Sequence, residues 1–205
     1  NGTEQQVVTF EYGSIPFNAV LLLDASTSMA GERLSAAVEA ADNFARKQQP
    51  LDQTKLLVFA DRLIHETPFT NLPAILTLGL GGIEARGGSA VSDALALGCA
   101  RLERERGRRV LVLLSDGLDV DSVLDLDRVR TTARRAQAVV YWLRTGSAVA
   151  DDAAYVTLWR QPEANARIPR GISDLVEESG GRTLEVAYLL ALPRLASAAS
   201  PDAVS

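Results

Sequence analysis

The sequence has one cysteine, Cys99, and one histidine, His65, in 205 residues. A lone cysteine excludes an internal disulfide and a cysteine metal cluster. A lone histidine, with no G-x-S-x-G elbow in the chain, leaves no serine hydrolase machinery. Lysine is nearly absent, present at Lys47 and Lys55 alone. No apolar run exceeds seven residues, far short of a membrane span. Positive charge is not in excess either: the net charge of −5 argues against general affinity for nucleic acid or an anionic membrane. The chain starts at Asn1 rather than Met, so it reads as part of a larger chain, and the lack of a signal peptide says nothing about compartment.

With 47% hydrophobic and 23% charged residues, the composition is that of an ordinary globular protein. What the chain does have is alternation of strands and helices. Phe17–Leu23 is a continuous apolar run, the mark of a strand covered on both faces. Gly31–Lys47 carries apolar or small residues at Leu34, Ala37, Val38, Ala41, Phe44 and Ala45, a helical stripe. Further strands are expected at Lys55–Ala60, Val110–Leu114, Val139–Leu143 and Arg182–Val186. Leu63–Thr70 alternates after the Asp61-Arg62 turn and reads as an antiparallel edge strand. Helices are expected at Leu72–Ile83, Val91–Arg104, Leu126–Ala136 and Ile172–Ser179. The pattern predicts a doubly wound α/β domain over residues 17–190, a mostly parallel sheet with helices on both faces. Residues 1–16 read as a lead-in segment and residues 191–205 as a small-residue, disordered tail. Thr145–Arg170 reads as a long irregular loop that borders the functional edge, with Tyr155 and Trp159 as interface anchors beside Asp151 and Asp152.

Parallel sheets bind ligands outside the carboxyl ends of their strands, where the strand order reverses. Two strands here run into an aspartate: Asp24 follows the first, and Asp116 follows Val110–Leu114 through Ser115. If these strands are neighbours, both carboxylates meet at one crevice. Ser26 and Ser28 lie in the turn after Asp24, and Ser89 lies in the glycine-flanked loop Gly87-Gly88-Ser89. Two carboxylates and three hydroxyls form an all-oxygen set, suited to a hard cation such as Mg²⁺, Mn²⁺ or Ca²⁺ rather than zinc. Three neutral ligands leave the ion much of its charge, enough to attract an outside carboxylate. Asp24 is expected at the exposed end of its strand, so that its replacement leaves the fold intact.

The stretch DASTS reads D-x-S-x-S and resembles the first motif of the metal-ion-dependent adhesion site (MIDAS) of von Willebrand factor type A domains. GGSAVSDAL, Gly87 to Leu95, is similar to the second motif, with serine at 89 where the family usually has threonine, and LLSDG is similar to the third. The serine keeps the oxygen and loses a methyl group that would stiffen the loop. The resemblance, from about Phe17 to Val186, implies a Rossmann-like sheet of six main strands with one antiparallel edge. It implies a metal site of Asp24, Ser26, Ser28, Ser89 and Asp116 holding one divalent cation, Mg²⁺ before Mn²⁺ or Ca²⁺. It further implies a non-enzymatic adhesion or interaction module whose partner is a protein offering an acidic side chain. The lead-in NGTEQQVVTF is similar to that of a bacterial subgroup of larger, often exported proteins.

Blander readings exist for each feature. Ser26 and Ser28 could cap the first helix. Asp93 suits the first turn of its helix, and Asp119 and Asp121 read as solvated loop charges. The arginine-rich run Arg101–Arg109 and the arginines at 128, 130, 134 and 135 read as helix-end and helix-face charges. His65 reads as a surface residue and Cys99 as a small core residue. An Mg²⁺-dependent phosphatase on a Rossmann-like fold is the main rival. It needs a carboxylic acid where Ser26 stands and a lysine near the phosphoryl group. A scaffold domain whose site engages no partner is the third reading.

Overall fold

In the computed structural model, residues 16–145 and 162–185 are described. Six strands form one sheet: β1 (Phe17–Asp24), β2 (Gln53–Phe59), β3 (Leu63–Glu66), β4 (Arg108–Ser115), β5 (Val139–Arg144) and β6 (Thr183–Glu185). Their spatial order is β3-β2-β1-β4-β5-β6, and every pairing is parallel except β2 with β3. The chain winds one way from β1 to β2 and the other way from β1 to β4, so the order reverses between β1 and β4. That places a crevice outside the carboxyl ends of these two strands. Leu23 is paired with Leu114, so Asp24 and Ser115 are the next residues along the two strands.

Alternation along the central strands builds two cores. Val20 and Leu22 of β1, Leu111 and Leu113 of β4, and Val140 and Trp142 of β5 face one side. There they meet α3 (Val91–Leu102), α4 (Leu126–Ala136) and α5 (Pro162–Glu178). Leu21, Leu23, Val112, Leu114 and Leu143 face the other side and meet α1 (Glu32–Arg46) and α2 (Pro73–Gly79). Successive strand side chains point to opposite faces, so an unbroken apolar run is what a doubly covered strand requires.

The edge strand is shorter than the alternation suggested. Leu63–Glu66 forms the ladder, and Thr70 rejoins only by a single bridge to Thr54. Glu66 fastens this edge: it accepts bonds from Arg101 of α3 and from Lys55 of β2. The Arg101 hydrogen bond, aided by Lys55, holds the Glu66 carboxyl down at about 2 against the cost of its partial burial. His65 is exposed on this edge, as expected, and Cys99 is buried, its thiol pushed up to about 12 by desolvation. Two arginines of α4 bond across to α5, Arg130 reaching Asp174 and Arg134 reaching Glu178, while Arg135 reaches Glu103.

The irregular loop expected over Thr145–Arg170 needs correction at its far end. Pro162–Arg170 is helical and belongs to α5, which begins ten residues before Ile172. Pro162 opens that helix, where its missing N–H costs nothing and its fixed φ suits the first turn. Pro169 inside the helix disguised it as a loop. Thr145 does leave from the edge expected: its N–H bonds the carbonyl of Ser115 at 3.3 Å. Asp151, Asp152, Tyr155 and Trp159, the lead-in 1–15 and the tail 191–205 lie outside the described residues.

Gly98 lets α3 lie close against the sheet. A Cβ there would stand 2.5 Å from Leu111 Cδ1 and 3.2 Å from Leu22 Cδ2, both in the core. Gly98→Ala is expected to lower stability by about 1–3 kcal/mol through overpacking, even though alanine is the better helix former. Urea unfolding checks this, and an unchanged or raised midpoint would show that α3 can shift away freely.

Candidate metal centre

The site starts from the end of β1. After Asp24 the ladder stops, and Ala25 N–H takes the carbonyl of Phe59 at 2.7 Å as a last strand-like bond. The chain then folds into one 3₁₀ turn, Thr27–Met29, which throws Ser26 and Ser28 to the same side. Their hydroxyl oxygens lie 3.1 Å apart. Ser26 makes no side-chain capping bond, and α1 is preceded by Gly31, which has no side chain to cap it. The serines are therefore not helix caps.

Asp24 is the centre of the cluster. Its Oδ1 accepts from the Ser26 N–H at 2.9 Å. Its Oδ2 accepts from the hydroxyl of Ser89 at 3.1 Å and from that of Ser115 at 2.6 Å. Contrary to expectation it does not stand at an exposed strand end: its relative exposure is 0%. Ser26, Ser89 and Asp116 are buried too, and Ser28 is half-buried. Asp116 is held at the end of β4, where its Oδ1 accepts from Leu118 N–H at 3.0 Å. The Asp24 carboxyl is pushed up to about 6, first by desolvation and then by the charge of Asp116, while bonds from Ser115 and Ser26 oppose the shift. All five residues expected at the site thus gather at the carboxyl ends of β1 and β4.

The hydroxyl-bearing loop is fixed from several sides. Gly87, at φ +69°, turns its carbonyl to accept from the Thr27 N–H and hydroxyl. At Gly88 any Cβ would collide with the Asp121 carboxylate. The Ser89 carbonyl accepts from Val120 and Asp121 N–H at 2.9 and 3.0 Å. Asp119, expected to be a solvated loop charge, is instead buried and accepts from both N–H and Oγ of Ser92, the latter at 2.6 Å. Asp93 answers from α3, accepting from Val123 and Leu124 N–H. Asp121 is exposed, as expected.

Three contributors were missed in the sequence. Ser115 was passed over because it reads as the last residue of a strand. Asp119 gave no periodic signal. Arg33, on the polar side of α1, reaches over the site. Its Nη1 donates to the Ser28 carbonyl at 3.0 Å and lies 3.6 Å from Asp116 Oδ2.

Chemically the cluster is all oxygen, with two carboxylates among neutral hydroxyls. Among the described residues no three His, Cys, Asp or Glu side chains converge as a metal-holding group. Neither lysine is near: Lys55 pairs with Val20, four rungs below the Asp24–Phe59 pair, and Lys47 ends α1.

A doubly wound sheet with a carboxylate–hydroxyl cluster at its switch point defines the class. Residues 19–118 match the family model of the von Willebrand factor type A domain. No curated protein matches the chain. Among solved structures it is similar to an aerotolerance-related membrane protein of Bacteroides fragilis carrying multiple mutations to serine. The identity there is 15%, over 89% of this chain and 99% of that one, at a TM-score of 0.62. It is also similar to BatB of Bacteroides thetaiotaomicron, at 17% identity over 85% of this chain and 94% of that one, TM-score 0.61. A third is the pilus adhesin SpaC of Lactobacillus rhamnosus GG, at 16% identity over 93% of this chain, TM-score 0.61. The chain spans 31% of SpaC.

Because the Asp24 value of about 6 lies above its ordinary 3.8, the folded chain binds this proton more readily than the unfolded one. The stability from this group is fully present below about pH 4 and is lost as pH rises through 6. In chelator, stability is expected to fall by about 1 kcal/mol from pH 5 to pH 7.5, and Asp24→Asn to flatten that slope. The Glu66 contribution is already complete above its ordinary 4.5, so it does not change across this window. Urea unfolding at the two pH values measures the difference, and an equal slope in the variant would refute the assignment.

Proposed function

We propose that this domain is a metal-ion-dependent protein-binding module. Asp24, Ser26, Ser28, Ser89 and Asp116 would hold one divalent cation, Mg²⁺ before Mn²⁺ or Ca²⁺. The observation that carries the reading is the wholly buried Asp24 with the Asp116 charge beside it and hydroxyls bonded around it. Two carboxylates drawn out of water in this way favour a hard cation, and oxygen donors are what such an ion takes. When bound, the cation would supply an electrophilic position for a carboxylate from a partner protein. The chain's part is to present the oxygens: the end of β1 sets Asp24, the 3₁₀ turn sets the serines, and the pinned glycine loop sets Ser89. An adhesin among the structural neighbours supports a protein as the partner.

The reading is non-enzymatic. Phosphoryl transfer of the rival type would need an acid at position 26 and a nearby lysine, and the cluster supplies Ser26 and no lysine.

Calorimetric titration with MgCl₂, MnCl₂ and CaCl₂ tests the site, and one bound ion per chain is expected. Asp24→Ala should abolish measurable binding; because the residue is buried, circular dichroism must accompany the titration. Ser89→Ala should weaken binding by on the order of tenfold, since one neutral donor is lost. Metal affinity that survives Asp24→Ala in a folded protein would remove the proposal.

Partner capture provides the second test. A protein held by this domain in Mg²⁺ should be released by excess chelator at neutral pH. Equal binding in chelator would place the partner on another surface.

A further inference from the structure

Arg33 occupies a position that helix stability does not explain. It is the second residue of α1, in the first turn, where the helix dipole disfavours a cation and favours an acid such as its neighbour Glu32. Its guanidinium folds back over the cluster to bond the Ser28 carbonyl and approach Asp116 Oδ2 at 3.6 Å. Asp116 is buried to 1% while the Arg33 side chain keeps 24% exposure, so the guanidinium lies on the solvent side of that carboxylate.

We propose that Arg33 is a built-in counter-cation of the metal-free site, competing with the divalent ion for Asp116; this rests on the metal-binding reading above. A guanidinium is permanently charged and cannot yield by losing a proton. Beside a buried carboxylate, its repulsion of an incoming divalent ion is only partly screened. The ion therefore enters only as Arg33 swings off Asp116, and each bound ion costs the chain that ion pair. The arginine holds metal affinity down and keeps the two carboxylates tolerable without metal.

The test is titration of MnCl₂ into wild type, Arg33→Gln and Arg33→Lys, with thermal unfolding of each in chelator and in saturating Mn²⁺. Arg33→Gln should bind Mn²⁺ about tenfold or more tightly than wild type, since a nearby positive charge is removed. It should also unfold at a lower temperature in chelator, with the gap closing in Mn²⁺. Arg33→Lys keeps the charge and should bind no more tightly than wild type. A merely structural arginine would lower both unfolding temperatures with no gain in affinity. If wild type binds Mn²⁺ and Arg33→Gln binds it equally or less tightly, this inference fails while the metal reading stands. If neither protein binds Mn²⁺, both fail. Binding by the variant alone supports both, with Arg33 as the dominant barrier.

Discussion

Burying the Asp24 carboxylate is the constraint around which the rest of the site is arranged. A carboxylate with no exposure is costly unless its oxygens are bonded and its charge offset. Here both oxygens are bonded by one backbone N–H and two serine hydroxyls. Those donors come from three separate places in the chain: the turn after β1, the loop before α3 and the end of β4. Satisfying one side chain therefore draws three connections to the same point.

The supporting contacts follow from that convergence. The loop carrying Ser89 cannot stay in place through its own short length, so its carbonyls are engaged by Thr27, Val120 and Asp121. The loop after β4 is held in turn by reciprocal aspartates, with Asp119 on the start of α3 and Asp93 on the start of the α4 approach. Trp142 of β5 closes the assembly from behind: its indole N–H donates to the Ser115 carbonyl at 3.0 Å. Gly117 passes so near the indole that a Cβ would lie 2.4 Å from it. Such mutual bracing suits a binding site whose ligands must keep their geometry before anything arrives. This bracing also brings the Arg33 guanidinium against the acidic cluster on its solvent side.

Much of this was legible in the chain. Unbroken apolar runs mark strands covered on both faces, and the order of strands and helices implies a parallel sheet; both depend on local periodicity alone. The five oxygen-bearing residues were legible because each sits beside a recognisable break, a strand end or a glycine pair. The extent of Leu63–Thr70 was not, since alternation continues past the point where pairing with β2 stops. The start of α5 was not, since prolines look alike whether they open a helix or end one.

Local sequence determined which residues could face a core and which could end a strand near a turn. Only the tertiary structure decided that β1 and β4 are neighbours, that Asp24 is buried rather than exposed, and that Ser115, Asp119 and Arg33 join the site. Ser89 and Ser115 meet Asp24 across 65 and 91 residues of chain. Contacts of that range arise from how sheets and helices pack, and no periodicity within a short window encodes which distant hydroxyl or guanidinium will close over a buried charge.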